Sequence, residues 1–128
     1  DFCYMIGPKM FDEFVKPELE ASCKKLDHAF YHLDGPGELP HLDSLLEIKA
    51  LKGVQWIPGS QNPHGENWPD VYRKILKAGK RAQFYGDWRN FGKLVDQVGG
   101  AENFVVFASA PVSQRKEAED FLKRYGVR

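Results

Sequence analysis

The stretch FYHLDGPGELPHLD, from Phe30 to Asp43, places His32, Asp34 and Glu38 where an apolar run breaks into a Gly35, Pro36, Gly37 turn. An imidazole beside carboxylates is a set that moves protons, or that holds a metal through nitrogen and oxygen. Each residue also has a plainer role. His32 can serve as a hydrogen-bonded structural histidine, and Asp34 can order the turn. Glu38 can be a first-turn helix carboxylate, favoured by the helix dipole by about 0.3–1 kcal/mol. His41 is expected on a helix surface. The functional reading rests on position, because the ends of parallel strands are where sites are built.

The elements that must position these groups alternate regularly. Pro8 opens a helix expected to run to about Leu26. Its apolar face is Phe11, Phe14, Val15, Leu19, Cys23 and Leu26, with a kink or break expected at Pro17. A strand is expected over His28 to Leu33, then a helix over Pro40 to Ala50, then a strand over Gly53 to Ile57. Asn67 is placed to cap a helix carrying Trp68, Val71, Tyr72, Ile75 and Leu76, closed by Gly79. A third strand reads Arg81 to Gly86. The next helix carries Phe91, Leu94, Val95 and Val98, and Gly99 and Gly100 end it. A fourth strand reads Asn103 to Ala108. A last helix, capped by Ser113, is expected to bury Ala118, Phe121, Leu122 and Tyr125. Its exposed face offers Arg115 with Glu119, Glu119 with Lys123 and Asp120 with Arg124, each four apart.

Four strand–helix units predict an α/β fold with a parallel sheet and right-handed crossovers. An open doubly wound sheet and part of a (β/α)8 barrel both fit. Polar residues sit mid-strand at His32, Gln55 and Gln83, alternating with Tyr31 and Leu33, Val54 and Trp56, Ala82 and Phe84. One sheet face therefore meets helices and the other something more polar, as in a barrel lumen. A whole barrel takes about 250 residues. The 128 residues of the chain are thus expected to form a single domain, half of a (β/α)8 TIM-type barrel. No initiator Met precedes Asp1, and the chain reads as a fragment of something longer.

Composition narrows the partners. Lysine plus arginine is 18 and aspartate plus glutamate is 18, so nucleic acid and anionic membranes are not expected partners. No apolar run approaches the roughly 20 residues of a membrane span, and no signal peptide is visible. The two cysteines, Cys3 and Cys23, form neither a disulfide framework nor a metal cluster. A reducing cytoplasm is the simplest compartment.

GPKMFDEFVKPEL followed by AFYHLDG resembles the uroporphyrinogen decarboxylase superfamily. HLDGPGELPHLDSLLEI and GVQWIPG are similar to its corrinoid-linked methyltransferase branch, and in particular to relatives labelled trimethylamine corrinoid proteins. The resemblance runs from about Pro8 to Val127 and implies the C-terminal half of a barrel. It implies methyl transfer in methylamine or related C1 metabolism by the full-length protein, with a corrinoid protein as partner and a small-molecule substrate, and the fragment alone is expected to be inactive. Zinc enzymes of this superfamily use a His-x-Cys at a strand end and a Cys near the last strand. His32 matches that histidine, Asp34 stands at the first Cys, and Ser109 or Ala110 at the second. With both thiolates gone, no stoichiometric zinc is expected. His32 and Asp34 remain a weak metal pair, with Glu38 as the third ligand to consider.

The candidate catalytic residues are therefore His32, Asp34 and Glu38. Gln61, Asn62, Asp87 and Ser109 are candidate substrate contacts, being at or beyond strand ends. Asp87 can equally cap the helix that follows it, and His64 lies in a loop that is polar anyway. Three other readings stand beside methyl transfer. One is a decarboxylase-like lyase. Another is a glycoside hydrolase using Asp34 with Glu38 or Asp87, with Trp56 and Trp68 available to line its cleft, although Trp56 is expected to be buried against helices. The third is a non-catalytic module that docks a corrinoid protein. A half barrel also leaves two sheet edges and an apolar face formed by Phe30, Ile57, Tyr85 and either Phe104 with Val106 or Val105 with Phe107. A homodimer is expected from these.

Overall fold

The computed structural model describes residues 2–127. It is an α/β fold around one parallel sheet of four strands in the spatial order β1-β2-β3-β4. The strands are β1 (Phe30–Asp34), β2 (Gly53–Ile57), β3 (Arg81–Tyr85) and β4 (Phe104–Phe107). The helices are α1 (Phe2–Met5), α2 (Pro8–Met10), α3 (Lys16–Cys23), α4 (Leu42–Leu46), α5 (Pro69–Lys77), α6 (Trp88–Val98) and α7 (Arg115–Arg124).

Sheet order equals chain order, so right-handed crossovers place the connecting helices on one face. The alternation of the strands obeys this. Leu33, Val54, Trp56, Ala82 and Phe84 are buried with Leu42, Leu45, Tyr72, Ile75, Phe91 and Leu94 in one core. Phe104 joins them against Tyr72 and Phe91, with ring centroids 5.6 and 5.2 Å away. Val105 and Phe107 therefore belong to the other, open face. His32, Gln55 and Gln83 share that face in one transverse row, since His32 is level with Gln55 and Gln55 with Gln83.

Several boundaries differ from expectation. The first strand starts at Phe30, with His28 and Ala29 left in the turn before it, and ends on Asp34, which pairs opposite Ile57. The segment after it is a 3-10 stretch, Pro36–His41, and only Leu42–Leu46 is α-helical. Pro40 leaves Pro36 without a backbone donor four residues on, which suits the tighter winding. Pro17 acts on the preceding turn. Phe11–Val15 is π-helical, and the Lys16 N–H reaches back to the Phe11 carbonyl before α3 begins.

Pro69, not Asn67, fixes the start of α5. Asn67 ends a short 3-10 turn and donates through its amide to the His64 carbonyl at 3.2 Å. Ser113 likewise lies inside a 3-10 turn, Val112–Gln114, and makes no cap hydrogen bond. Helix α7 buries none of its residues, and Leu122 is 43% exposed, since among the described residues no strand beyond β4 completes its packing. Of its expected ion pairs Arg115–Glu119 forms at 2.7 Å, while Lys123 turns to Asp120 at 3.6 Å. On the first helix Phe14 and Leu26 are exposed, and Phe11 and Cys23 carry the buried contact. Among the described residues no helix is long and apolar enough to cross a membrane.

Tyr72 tests the core chemically. Its ring is fully buried, and its hydroxyl has no hydrogen-bond partner among the described residues. Burial, with the Glu66 carboxylate adding, pushes its phenol above the usual tyrosine range. A folded pKa above the unfolded value near ~10 contributes stability below that pH and loses it as pH rises beyond. Tyr72→Phe removes both the orphan hydroxyl and this titration. It is expected to be neutral or stabilising by up to about 1 kcal/mol at neutral pH. Urea unfolding from pH 8 to 11 should then show a shallower alkaline loss than the parent chain, and an equal or steeper loss would contradict this account.

Candidate functional site

The C-terminal end of β1 is held by two glycines and a tyrosine. Gly35 has φ of 85°, a left-handed value that turns the chain sharply after Asp34. At Gly37 any Cβ would run into the ring of Tyr4, which lies on the turn. Helix α1 is thus laid across this end of the sheet. The His41 ring fixes it from below, with Nε2 2.8 Å from the Cys3 carbonyl. His41 is buried and stacks on Phe11 at 4.6 Å, so the expected surface position is wrong. The 3-10 winding of Pro36–His41 turns this residue inward beneath α1.

His32 and Asp34 lie side by side on the open face, two residues apart on one strand. His32 Nε2 is 4.0 Å from Asp34 Oδ2, and their side chains are 57% and 45% exposed. The other ring nitrogen, Nδ1, meets Gln55 Oε1 at 2.5 Å. A carbonyl oxygen there accepts from Nδ1–H, which leaves Nε2 as the basic nitrogen towards Asp34 and solvent. Neighbouring Gln55 thereby sets the direction in which His32 can exchange a proton.

Glu38 does not join them. Its side chain is buried beneath the turn, where Oε2 accepts from the Asp34 N–H at 3.2 Å and from the Tyr31 hydroxyl at 3.4 Å. Burial pushes the Tyr31 phenol up, reinforced by its bond to Cys3 and by Glu38, so it remains a donor. Buried there, Glu38 acts on Asp34 through its backbone and stands apart from the exposed His32–Asp34 pair. Among the described residues no three His, Cys, Asp or Glu side chains group to hold a metal.

The remaining candidates divide. Gln61 and Asn62 join Asp34, Tyr4, Gly35 and Pro58 around a polar cleft of 330 Å³, and Asn62 is fixed by donating to the Pro58 carbonyl at 2.7 Å. Asp87 caps α6, accepting from the Arg89 N–H at 2.9 Å. Ser109 lines a separate apolar groove of 650 Å³ between β4 and α7, with Phe104, Val106, Phe121 and Tyr125. Tyr4 was missed by sequence reasoning. Its signal is weak, because only the two nearby glycines mark where a ring could lie. Trp56 is buried against Trp68, so neither lines a sugar cleft beside Asp34.

Comparison with known proteins finds no match among family models, curated proteins or solved structures.

The donor set at His32 and Asp34 does not fit a structural or catalytic zinc, which takes at least three protein ligands. Elemental analysis of protein purified without chelator is expected to give well under one zinc per chain. One tightly held zinc, lost in His32→Ala, would overturn this.

Proposed function

We propose that this chain forms the working face of a half (β/α)8 barrel that binds a small substrate for corrinoid-dependent methyl transfer, in methylamine or related C1 metabolism. One observation carries the reading. His32 and Asp34 stand together, exposed, on the open face of β1, and Asp34, at the end of the strand, lines the cleft with Gln61 and Asn62. The resemblance of the His32 segment to the methyltransferase branch supports it, as does the one-sided parallel sheet.

A corrinoid carried by a partner protein would supply the cobalt centre for the methyl group. The residues of this chain bind and orient the small molecule and manage its proton. Asn62 and Gln61 offer amide donors and acceptors at the cleft. Asp34 supplies a negative charge held in place by Glu38 through the backbone. His32, oriented by Gln55, takes the proton of an acceptor or returns one to a departing amine. A docking module without catalysis would not need that proton route.

The test is methyl transfer between methylcobalamin and candidate amines or thiols, followed by the absorbance change of the corrinoid. Any activity above background is expected to fall about 10²-fold or more in His32→Ala, the range for loss of a general acid–base group. Equal rates for parent and variant would remove His32 from the chemistry.

The open face also supports a proposal on assembly. Tyr85 is 58% exposed, Phe107 64% and Val105 37%, and among the described residues no further strand covers the edges of β1 and β4. Phe30 contributes less than its size suggests, because its ring lies over Gly53. Two copies that bring their edges or faces together would shelter these groups, each fully buried side chain contributing about 1.5–3 kcal/mol. Light scattering at micromolar concentration should give twice the 14.6 kDa chain mass. A clean monomer on concentration would end the proposal.

A further inference from the structure

We propose that the polar cleft at the ends of β1 and β2 binds one ring of a neutral saccharide, seated on Tyr4 with its hydroxyls on Asp34, Ser60, Gln61 and Asn62. The inference rests on the reading of this cleft as a binding site and names the class of ligand it takes. Its volume of 330 Å³ stands at the small end of ligand clefts, which run from about 300 to 1,000 Å³. That is room for a single ring rather than a chain of them.

The polar groups of the cleft are of mixed kind. Asp34 brings a carboxylate, Ser60 a hydroxyl, Gln61 and Asn62 an amide each, and Tyr4 a phenol. Among its described lining residues there is no lysine, arginine or histidine. A phosphate or carboxylate would therefore enter with no cation to meet it and with Asp34 against it. A lone cation would use the acceptors and leave the donors of Ser60, Gln61 and Tyr4 idle. A ring of hydroxyls uses both kinds, because each hydroxyl donates one proton and accepts on its oxygen.

Tyr4 supplies the flat face. It is 55% exposed while its ring lies on the glycine turn, and Pro36 and Pro58 extend the apolar surface beside it. An aromatic face carries the negative side of the ring quadrupole and attracts positively polarised hydrogens. The C–H bonds of a sugar sit on carbons that bear oxygen and are polarised in that sense.

The walls are set before a ligand arrives. Gly35 and Gly59, both with φ of 85°, turn the chain after β1 and β2. The Gly35 N–H donates to the Ile57 carbonyl at 2.8 Å and ties the first turn to β2. The Asn62 N–H donates to the Gly59 carbonyl at 3.2 Å, and its side-chain amide to that of Pro58 at 2.7 Å. Asn62 held in this way keeps its own side-chain oxygen as an acceptor. Little ordering is left for binding to impose on these groups.

The experiment is a nitrogen–proton NMR titration of the 128-residue chain with the methyl glycosides of glucose, galactose and mannose. Cyclohexanol serves as the ring stripped to one hydroxyl, methylammonium chloride as the cation and inorganic phosphate as the anion, at equal ionic strength. At least one glycoside is expected to give saturable shifts of the Gly35, Gly59, Ser60 and Gln61 amide signals, with every control at least about fivefold weaker. Tyr4→Leu and Asp34→Asn should each weaken that binding by about 3- to 10-fold, and Tyr4→Phe should retain most of it. Gln61→Ala alters an exposed loop side chain and should weaken binding by about 2- to 5-fold with unchanged far-ultraviolet circular dichroism, which keeps the test open if Tyr4→Leu disturbs the turn. A free sugar and the end of a longer chain would fit alike, so a trisaccharide of the same sugar should gain less than about threefold, and a larger gain would overturn the one-ring cleft. A control that binds as tightly as the best glycoside, shifts confined to other parts of the chain, or no saturable shift overturns the proposal. Glycoside binding by a chain that transfers no methyl group would sink the functional reading alone. Methyl transfer that depends on His32, with no glycoside binding, would sink this inference alone.

Discussion

The structure depends on one constraint, that parallel strands laid down in chain order can be covered by their own crossovers on one face only. The crossover hand sends α4, α5 and α6 to the same side. That side takes Leu33, Val54, Trp56, Ala82 and Phe84 and with them the apolar burial that stabilises the fold. The other side keeps His32, Gln55 and Gln83 in a row, with Asp34, Ile57, Tyr85 and Phe107 in the row above. Site and core are thus the two halves of one period-two pattern. A residue moved by one position along a strand would change from one role to the other.

The two ends of the sheet are held by different means. At the N-terminal end Lys80 is buried and its ammonium donates to the Ile48 and Leu51 carbonyls at 2.7 and 2.8 Å. Those carbonyls lie just past the short helix α4, where backbone acceptors would otherwise lack partners. Burial lowers the proton affinity of Lys80, with Lys52 adding to the effect, and the two carbonyls favour the charged form. Such a group is costly to leave unpaired, so it acts as a fixed strut. Among the described residues the C-terminal end has no comparable buried lysine or arginine. It is closed instead by α1, through Tyr4 on the glycine turn and His41 on the Cys3 carbonyl. Rigidity sits at one end, and an accessible cleft at the other.

The strands were the most legible part of the sequence. Alternation such as Val54, Gln55, Trp56 carries its meaning locally, since the pleat alone decides which side chains share a face. Helix starts were less legible. Asn67 and Ser113 have the side chains of good caps, yet a proline at Pro69 and a 3-10 turn at Val112–Gln114 set the starts elsewhere. The pairing of His32 with Asp34 followed from their spacing. The burial of Glu38 and His41 did not, because it depends on α1 returning across the turn from more than 30 residues away. Nothing in a polar, glycine-rich segment announces that a distant helix will cover it.

That covering segment changes how the motif works. Asp34 is placed by its backbone as much as by its strand, because its N–H donates to the Glu38 carboxylate beneath it. The carboxylate in turn accepts from Tyr31, whose phenol is held in its protonated form by burial, by Cys3 and by Glu38 itself. Tyr31 faces the helices while its neighbours His32 and Phe30 face the open side, so this one strand supplies both the site and its support. Two acids four residues apart therefore have opposite duties. The buried one fixes the turn, and the exposed one is left free to meet a ligand. The strand and its turn thus separate the two acids, and on the open face they leave an exposed imidazole beside a carboxylate, His32 with Asp34.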